Sequence, residues 1–307
     1  MKRELDVILL ACLSLLCFSC KKFSDGETKL FERQIDTTFQ VIEMCDNVNV
    51  TLEHCDAVHP AGLITIKTGE NLIDGIITKT ETILVDAKLD DTTFKVPLNK
   101  LVIQNNNALS TFRPYDYDLD MTVYYDSLYI LYFNSNGTVK TADTLRGYYW
   151  PNSIQNDSTV FDTLRPSLRL EILGGSGDYY ITMNCHHLTT KYIHGTSCLT
   201  MKGYVKHAET RSNHDCHGII DGKDLEAKSQ IVNYYGTNKV YVKVVDRLTA
   251  KNYNIGSIYY VKFKKHEVVW VNNGLPHGEW IDSTFRCPQH KILQGERIYD
   301  TVIDRHQ

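Results

Sequence analysis

Six of the twelve histidines in this 307-residue chain fall between His186 and His217, interleaved with Cys185, Cys198 and Cys216. Imidazole nitrogen and thiolate sulfur are good ligands for zinc and copper. The tightest piece, His214-Asp215-Cys216-His217, has no second pair at finger-like spacing. Strand alternation would also send His214 and Cys216 to one side and His217 to the other. The stretch therefore reads as histidines on the corners of a strand-rich fold, and no metal site or cofactor is assigned. Carboxylates for acid–base chemistry stand nearby, Asp215, Asp221, Asp224 and Glu226, with Arg211 and Lys228 as basic companions. They lack any recognisable catalytic spacing and read as solvent-facing groups. No Gly-rich phosphate loop precedes a helix and no Gly-x-Ser-x-Gly is present, so the chain reads as a non-enzyme.

Other residue types point to contact chemistry. Tyr148, Tyr149 and Trp150 lie in a stretch, 147–166, with no steady hydrophobic period, which reads as an inserted loop. Aromatic rings on a loop can stack on sugar faces, so these three are the candidate glycan contacts; the alternative is that they cap the side of the fold. Cys45 and Cys55 flank a short strand, while Cys198 and Cys216 fall at similar distances before two repeat positions. These four are the disulfide candidates, and stacked buried thiols are the competing reading.

A pattern of an apolar residue followed three places later by a cation occurs four times: Leu188 to Lys191, Ala208 to Arg211, Leu225 to Lys228 and Leu248 to Lys251. Glycines keep the same beat at Gly177, Gly195, Gly218, Gly236 and Gly256. A period of about twenty residues in a strand-rich chain marks a solenoid. The four cations would then stack along one edge, where lysines normally protect a sheet, with an anionic polymer as the sharper use. Strands are also favoured by the 19 tyrosines and by the alternation over Tyr115 to Tyr125, which sets Asp116, Asp118 and Asp120 on one face. The expected fold is all-β, a right-handed parallel β-helix or β-solenoid over 36–265. Residues 266–307 are expected to form an irregular carboxy-terminal cap or tail.

Bulk composition narrows the partners. With 42% apolar and 23% charged residues the chain can bury a core, which excludes disorder. A net charge of -4 gives no global field for a phosphate backbone, so nucleic acid is excluded as a partner.

The amino terminus reads as an export signal, with Lys2 and Arg3 before the apolar run Val7 to Phe18, too short to span a bilayer. Its end, Cys17-Phe18-Ser19-Cys20-Lys21-Lys22, resembles the lipobox of bacterial lipoproteins. By that resemblance residues 1–19 are removed, Cys20 is acylated and 20–35 form a polar tether, with Leu9-Leu10-Ala11-Cys12 as a rival lipobox. The expected location is the cell envelope, at the outer membrane through the lipid anchor, either displayed on the surface or facing the periplasm.

Larger pieces carry a family resemblance. They are the opening strands Phe39 to Leu52, Gly69-Glu70-Asn71-Leu72, Asn134-Ser135-Asn136-Gly137, Gly174-Gly175-Ser176-Gly177 and Asn254-Ile255-Gly256-Ser257-Ile258-Tyr259-Tyr260. The chain resembles the head, or GIN, domain of auto-transporter adhesins, found mainly as lipoproteins of Bacteroidetes-type bacteria. The resemblance implies a parallel β-solenoid, an adhesive surface role with a glycan or host-matrix ligand, and no catalytic residue set. An envelope scaffold facing the periplasm is the second reading and a carbohydrate-active enzyme the third. The insertion at 147–166, the many cysteines and Ser212-Asn213-His214-Asp215 depart from the family pattern. Asp-Ser/Thr pairs followed by an aliphatic residue or Thr also resemble the O-glycosylation acceptor of that bacterial group. Ser158 and Thr163, on the inserted loop, are the favoured sites.

Overall fold

The computed structural model describes residues 25–89, 92–107, 119–148, 166–261, 267–272 and 279–280, and these form an all-β, mostly-strand fold. In chain order the strands are β1 (Thr28–Gln34), β2 (Val41–Asp46), β3 (Asn49–His54), β4 (Leu63–Gly69), β5 (Ile76–Leu89) and β6 (Thr92–Asn105). They continue with β7 (Asp120–Tyr125), β8 (Ile130–Ser135), β9 (Val139–Thr141), β10 (Ser167–Ile172), β11 (Asp178–Tyr192) and β12 (Cys198–Ser212). The last are β13 (Ile219–Tyr234), β14 (Lys239–Asn252), β15 (Ser257–Val261), β16 (Glu267–Asn272) and β17 (Glu279–Trp280). Among the described residues no helix is long and apolar enough to cross a membrane.

The strands join in one curled, half-barrel sheet of mixed direction, which overturns the expected right-handed parallel solenoid. β1 runs antiparallel to β4, β4 to β7, and β5 to β6 over fourteen residue pairs. The physical reason lies in the connections. Only two residues separate β5 from β6, and so short a link can join only antiparallel neighbours, because a parallel pair needs a crossover of a dozen residues or more. The twenty-residue spacing that suggested a solenoid is confined to the second half of the chain.

There, β10 to β14 pair in parallel, and their residues line up in rows that cross the sheet. One inner row joins both halves: Val50, Val139, Tyr179, Leu199, Ile220, Val240 and Ile258 are successive register partners and all are buried. It belongs to one core cluster that runs from Phe39 to Tyr260. Period-two alternation supplies it, since inward positions are mostly apolar and outward ones mostly polar along these strands. In β7, Met121, Val123 and Tyr125 face this core and Asp120 is exposed. Asp116 and Asp118 lie outside the described residues.

The rows correct the repeat in detail. Leu188 pairs with Ala208, Ala208 with Gln230, and Gln230 with Leu248, offsets of 20, 22 and 18 residues. Leu225 is not in this row; it pairs with Gly203. β13 is irregular against both neighbours: its register against β12 shifts between Thr200 and Lys202, and against β14 Gly222 pairs with Val242 while Glu226 already pairs with Lys243. The parallel pairing also continues past residue 265, with β16 against β14 and β17 against β15. The rest of the expected cap lies outside the described residues.

The glycine beat has a steric cause. The Tyr192 hydroxyl donates to the Ser197 carbonyl at 2.7 Å, and a Cβ on Gly218 would collide with it. The Tyr234 hydroxyl accepts from the Asn238 amide at 3.1 Å and would lie 2.6 Å from a Cβ on Gly236. Buried tyrosines thus tie their hydroxyls to the corner backbone, and the corner leaves room for them by having no side chain. Gly195 differs, needing its positive φ of 109°. Cys216 is its register partner on the next rung, taking the place where the beat predicted a glycine.

Candidate binding face

The outward residues of the second half-rungs form three parallel rows on one side of the sheet. The first holds Ser167, His187, His207, Ser229 and Arg247; the second Arg169, Thr189, Glu209, Ile231 and Thr249; the third Glu171, Lys191, Arg211, Asn233 and Lys251. Strands about 4.8 Å apart set the spacing within a row. Of the four cations expected to stack, Lys191, Arg211 and Lys251 do so, with Asn233 in the third place. Lys228 lies elsewhere, its Nζ 3.6 Å from Asp246.

Acids on the same face hold two of these cations, Lys191 and Arg211. Glu171, only 5% exposed, pairs with Arg169 in its own strand and with Lys191 in the next, the latter at 3.2 Å. Arg211 Nε donates to Glu209 at 2.7 Å. Ile231 stands 46% exposed beside Glu209, its register partner. The face therefore alternates charge, amide, hydroxyl and one apolar side chain, an arrangement suited to contacting an extended partner.

The six clustered histidines separate into two groups. The amides of His186 and His187 both donate to the Pro166 carbonyl, at 2.8 and 3.2 Å, which marks a bulge. It brings His186, His187 and His207 together, with ring centroids 4.4 to 5.2 Å apart, and His207 Nδ1 lies 2.7 Å from Ser229 Oγ. Cys185 does not join them. It is buried, its thiol donates toward the His187 carbonyl at 3.5 Å, and burial pushes its pKa up to about 12. The other three, His194, His214 and His217, are exposed at the corners. His214 meets Tyr235 edge-on at 5.0 Å, and Tyr235 stacks on Tyr253 at 4.2 Å, so these two tyrosines turn a ring face toward each other.

Of the four acids considered for catalysis, Asp215 is exposed at a corner and the other three are dispersed among ion pairs on the first half-rungs. Asp221 meets Lys223 at 3.2 Å, Asp224 meets Lys202 at 3.8 Å and Glu226 meets Lys243 at 3.5 Å.

The structure places the remaining expected site residues as follows. Tyr148 pairs through its backbone with Ser167, and its ring lies 6.2 Å from Tyr129. Both pack against a second apolar cluster of Val41, Val85, Leu98 and Ile130, and burial raises the Tyr148 phenol pKa. Tyr149, Trp150, Ser158, Thr163 and Cys20 lie outside the described residues. Cys45, Cys55, Cys185, Cys198 and Cys216 are free thiols in this structure. Cys198 pairs in register with Ile219, whereas Cys216 pairs with Gly195 three residues earlier in the rung, so the two do not stack. Cys45 lies within β2, which pairs with β8, and Cys55 follows β3, which pairs with β7. Burial, then Glu43 and Asp46, lifts the Cys45 thiol to about 11, and burial lifts Cys216 to about 12.

One group of metal-ligating side chains was not apparent from spacing. His54, Cys55 and Asp126 offer ligand atoms all within 4.8 Å of one another. Asp126 lies 71 positions after Cys55, and only the parallel pairing of β3 with β7 brings them together. The adjacent His54-Cys55 pair was the one available signal.

Comparisons with known proteins agree with this architecture. The family model described as "Putative auto-transporter adhesin, head GIN domain" matches residues 38–262. A crystal structure of a putative adhesin from Bacteroides fragilis is similar with a TM-score of 0.59 at 15% identity, covering 83% of this chain and 99% of that one. One from Parabacteroides merdae gives 0.43 at 15% identity, covering 84% and 100%. A putative lipid binding protein from Parabacteroides distasonis gives 0.49 at 13% identity, covering 84% and 98%. No curated protein matches the chain. At these identities the likeness to the Bacteroides fragilis structure speaks for the fold alone, while the family match spans well over half of the sequence. The chain belongs to the family of auto-transporter adhesin head GIN domains.

Proposed function

We propose that this non-catalytic adhesin-type domain is a lipid-anchored module of the cell envelope that uses its three-row face to hold an extended anionic glycan. The supporting observation is the register of Lys191, Arg211 and Lys251 in one row beside Thr189, Glu209 and Thr249 in the next. Groups repeated at strand spacing on an open face suit a polymer whose own charges repeat, whereas a small substrate calls for a concave site. Cys20 is the attachment point in this reading, and its support is the lipobox-like sequence around it.

A glycan and host-matrix array probed with the purified body tests the ligand. Binding to acidic glycans that weakens as salt rises, and that R211E and K191E reduce, is the expected result. Binding to matrix proteins alone, or binding indifferent to both substitutions, would discard the glycan reading. For the anchor, C20A should move the protein from the membrane to the soluble fraction. Protease shaving of whole cells then separates surface display from a scaffold facing the periplasm, since only a displayed domain is cut away.

A further inference from the structure

We propose that His54, Cys55 and Asp126 form a binding site for a zinc-class divalent ion that clamps the ends of β3 and β7. This inference is independent of the three-row face. His54 and Tyr125 are the last register partners of the two parallel strands, and the Cys55 amide donates to the Tyr125 carbonyl at 2.8 Å. Cys55 and Asp126 therefore follow as neighbours just where the ladder ends. Their ligand atoms and one imidazole nitrogen of His54 already lie within 4.8 Å of one another. Around a tetrahedral zinc ion, with bonds of about 2.0 to 2.3 Å, ligand atoms stand roughly 3.5 Å apart, so small side-chain rotations close the site.

The surroundings favour an ion of this class. His54 Nδ1 lies 2.9 Å from the Cys55 carbonyl oxygen, a contact that places the proton on Nδ1 and leaves the Nε2 lone pair to coordinate. That carbonyl contact is the usual way a ligating imidazole is oriented. The ring also meets Tyr125 edge-on at 5.6 Å, and Asp143 ties the two strand ends, accepting from the His54 amide and from the Tyr125 hydroxyl, each at 2.9 Å. One thiolate, one imidazole and one carboxylate make a borderline donor set that suits zinc better than calcium or magnesium. Three protein ligands leave a fourth position for water. Binding converts the Cys55 thiol to thiolate, and its proton goes to solvent.

Cobalt(II) added to the reduced, metal-free full chain tests the site, since a cobalt–thiolate bond gives a near-ultraviolet charge-transfer band and tetrahedral cobalt gives visible bands. We expect saturation at one equivalent and displacement by zinc. C55S should abolish the charge-transfer band. D126N should keep the band but weaken cobalt binding by at least about tenfold, since the loss of even an outer-shell partner costs about that much and Asp126 is a direct ligand. C45S and C198S should bind as the parent does. A band that persists in C55S, a stoichiometry other than one, or no saturable band would overturn the proposal. Circular dichroism confirms that each variant is folded, and the D126N result stands as a second test should C55S not fold.

Discussion

Gln230 and Thr210 meet inside the core, the Gln230 side-chain amide donating to Thr210 Oγ1 at 3.2 Å where neighbouring rungs carry apolar residues. Gln230 fills the row otherwise held by Leu188, Ala208 and Leu248. A buried amide is tolerated in such a row because the adjacent rung supplies its partner.

This pair gives the first prediction. T210V removes the acceptor and leaves the Gln230 amide buried without it, which should cost about 1–3 kcal/mol. Q230L with T210V should recover most of that loss, because an apolar pair of similar size replaces both polar groups. Urea denaturation of the two single variants and the double variant checks it, and additive losses would contradict the coupling.

A second prediction concerns the corner at Gly236. An alanine there meets the Tyr234 hydroxyl at 2.6 Å and the Cys216 carbonyl at 2.8 Å. G236A should therefore destabilise by about 1–3 kcal/mol, as overpacked sites do. Adding Y234F removes the hydroxyl but leaves the ring carbon Cζ at 2.7 Å and the Cys216 carbonyl at 2.8 Å, so it should restore only a small part of the loss. Thermal melting of the three forms is the measurement.

The repeating rows were legible in part. Strand content, the family and a mean spacing near twenty residues could all be read from alternation and from the glycines. The error fell on the third rung, where Leu225 to Lys228 imitates the repeat while Gln230 and Asn233 occupy the register. A bulge shifts pairing without any change in residue type, so the pattern alone gives no sign of it. The antiparallel first half was missed because β5 and β6 carry no special turn signature that separates them from rungs. The convergence of His54, Cys55 and Asp126 depends on strand pairing across 71 positions, which local spacing does not reveal.

A third prediction follows from the buried thiols. Cys185 and Cys216 are held near pKa 12 against an ordinary value of 9.0. The unfolded chain therefore releases these protons first, and the stability they contribute is complete below about pH 9 and lost as pH rises toward 12. Urea midpoints measured from pH 7 to 10.5 should fall at the alkaline end. C185A should flatten that slope; an unchanged slope in C185A and in C216A would contradict it.

The same burial predicts thiol reactivity. With the chain folded, an aromatic disulfide reagent should modify Cys55 well before Cys185 and Cys216, which are both buried and protonated at neutral pH. Peptide mapping of the partly labelled protein reads the order directly. Early labelling of Cys216 would show that its corner opens readily.

The bulge in β13 also separates change on the surface from change in the core. Opposite β14 the extra residues are Lys223, Asp224 and the core residue Leu225, and a second register shift follows between Ala227 and Ser229 before the outer rows run on. Chain length can therefore vary at that strand without moving the inner row through Ile220 and Val240. An insertion beside Lys223 or Asp224 is thus expected to alter the outer contour while the stacked interior keeps its alignment.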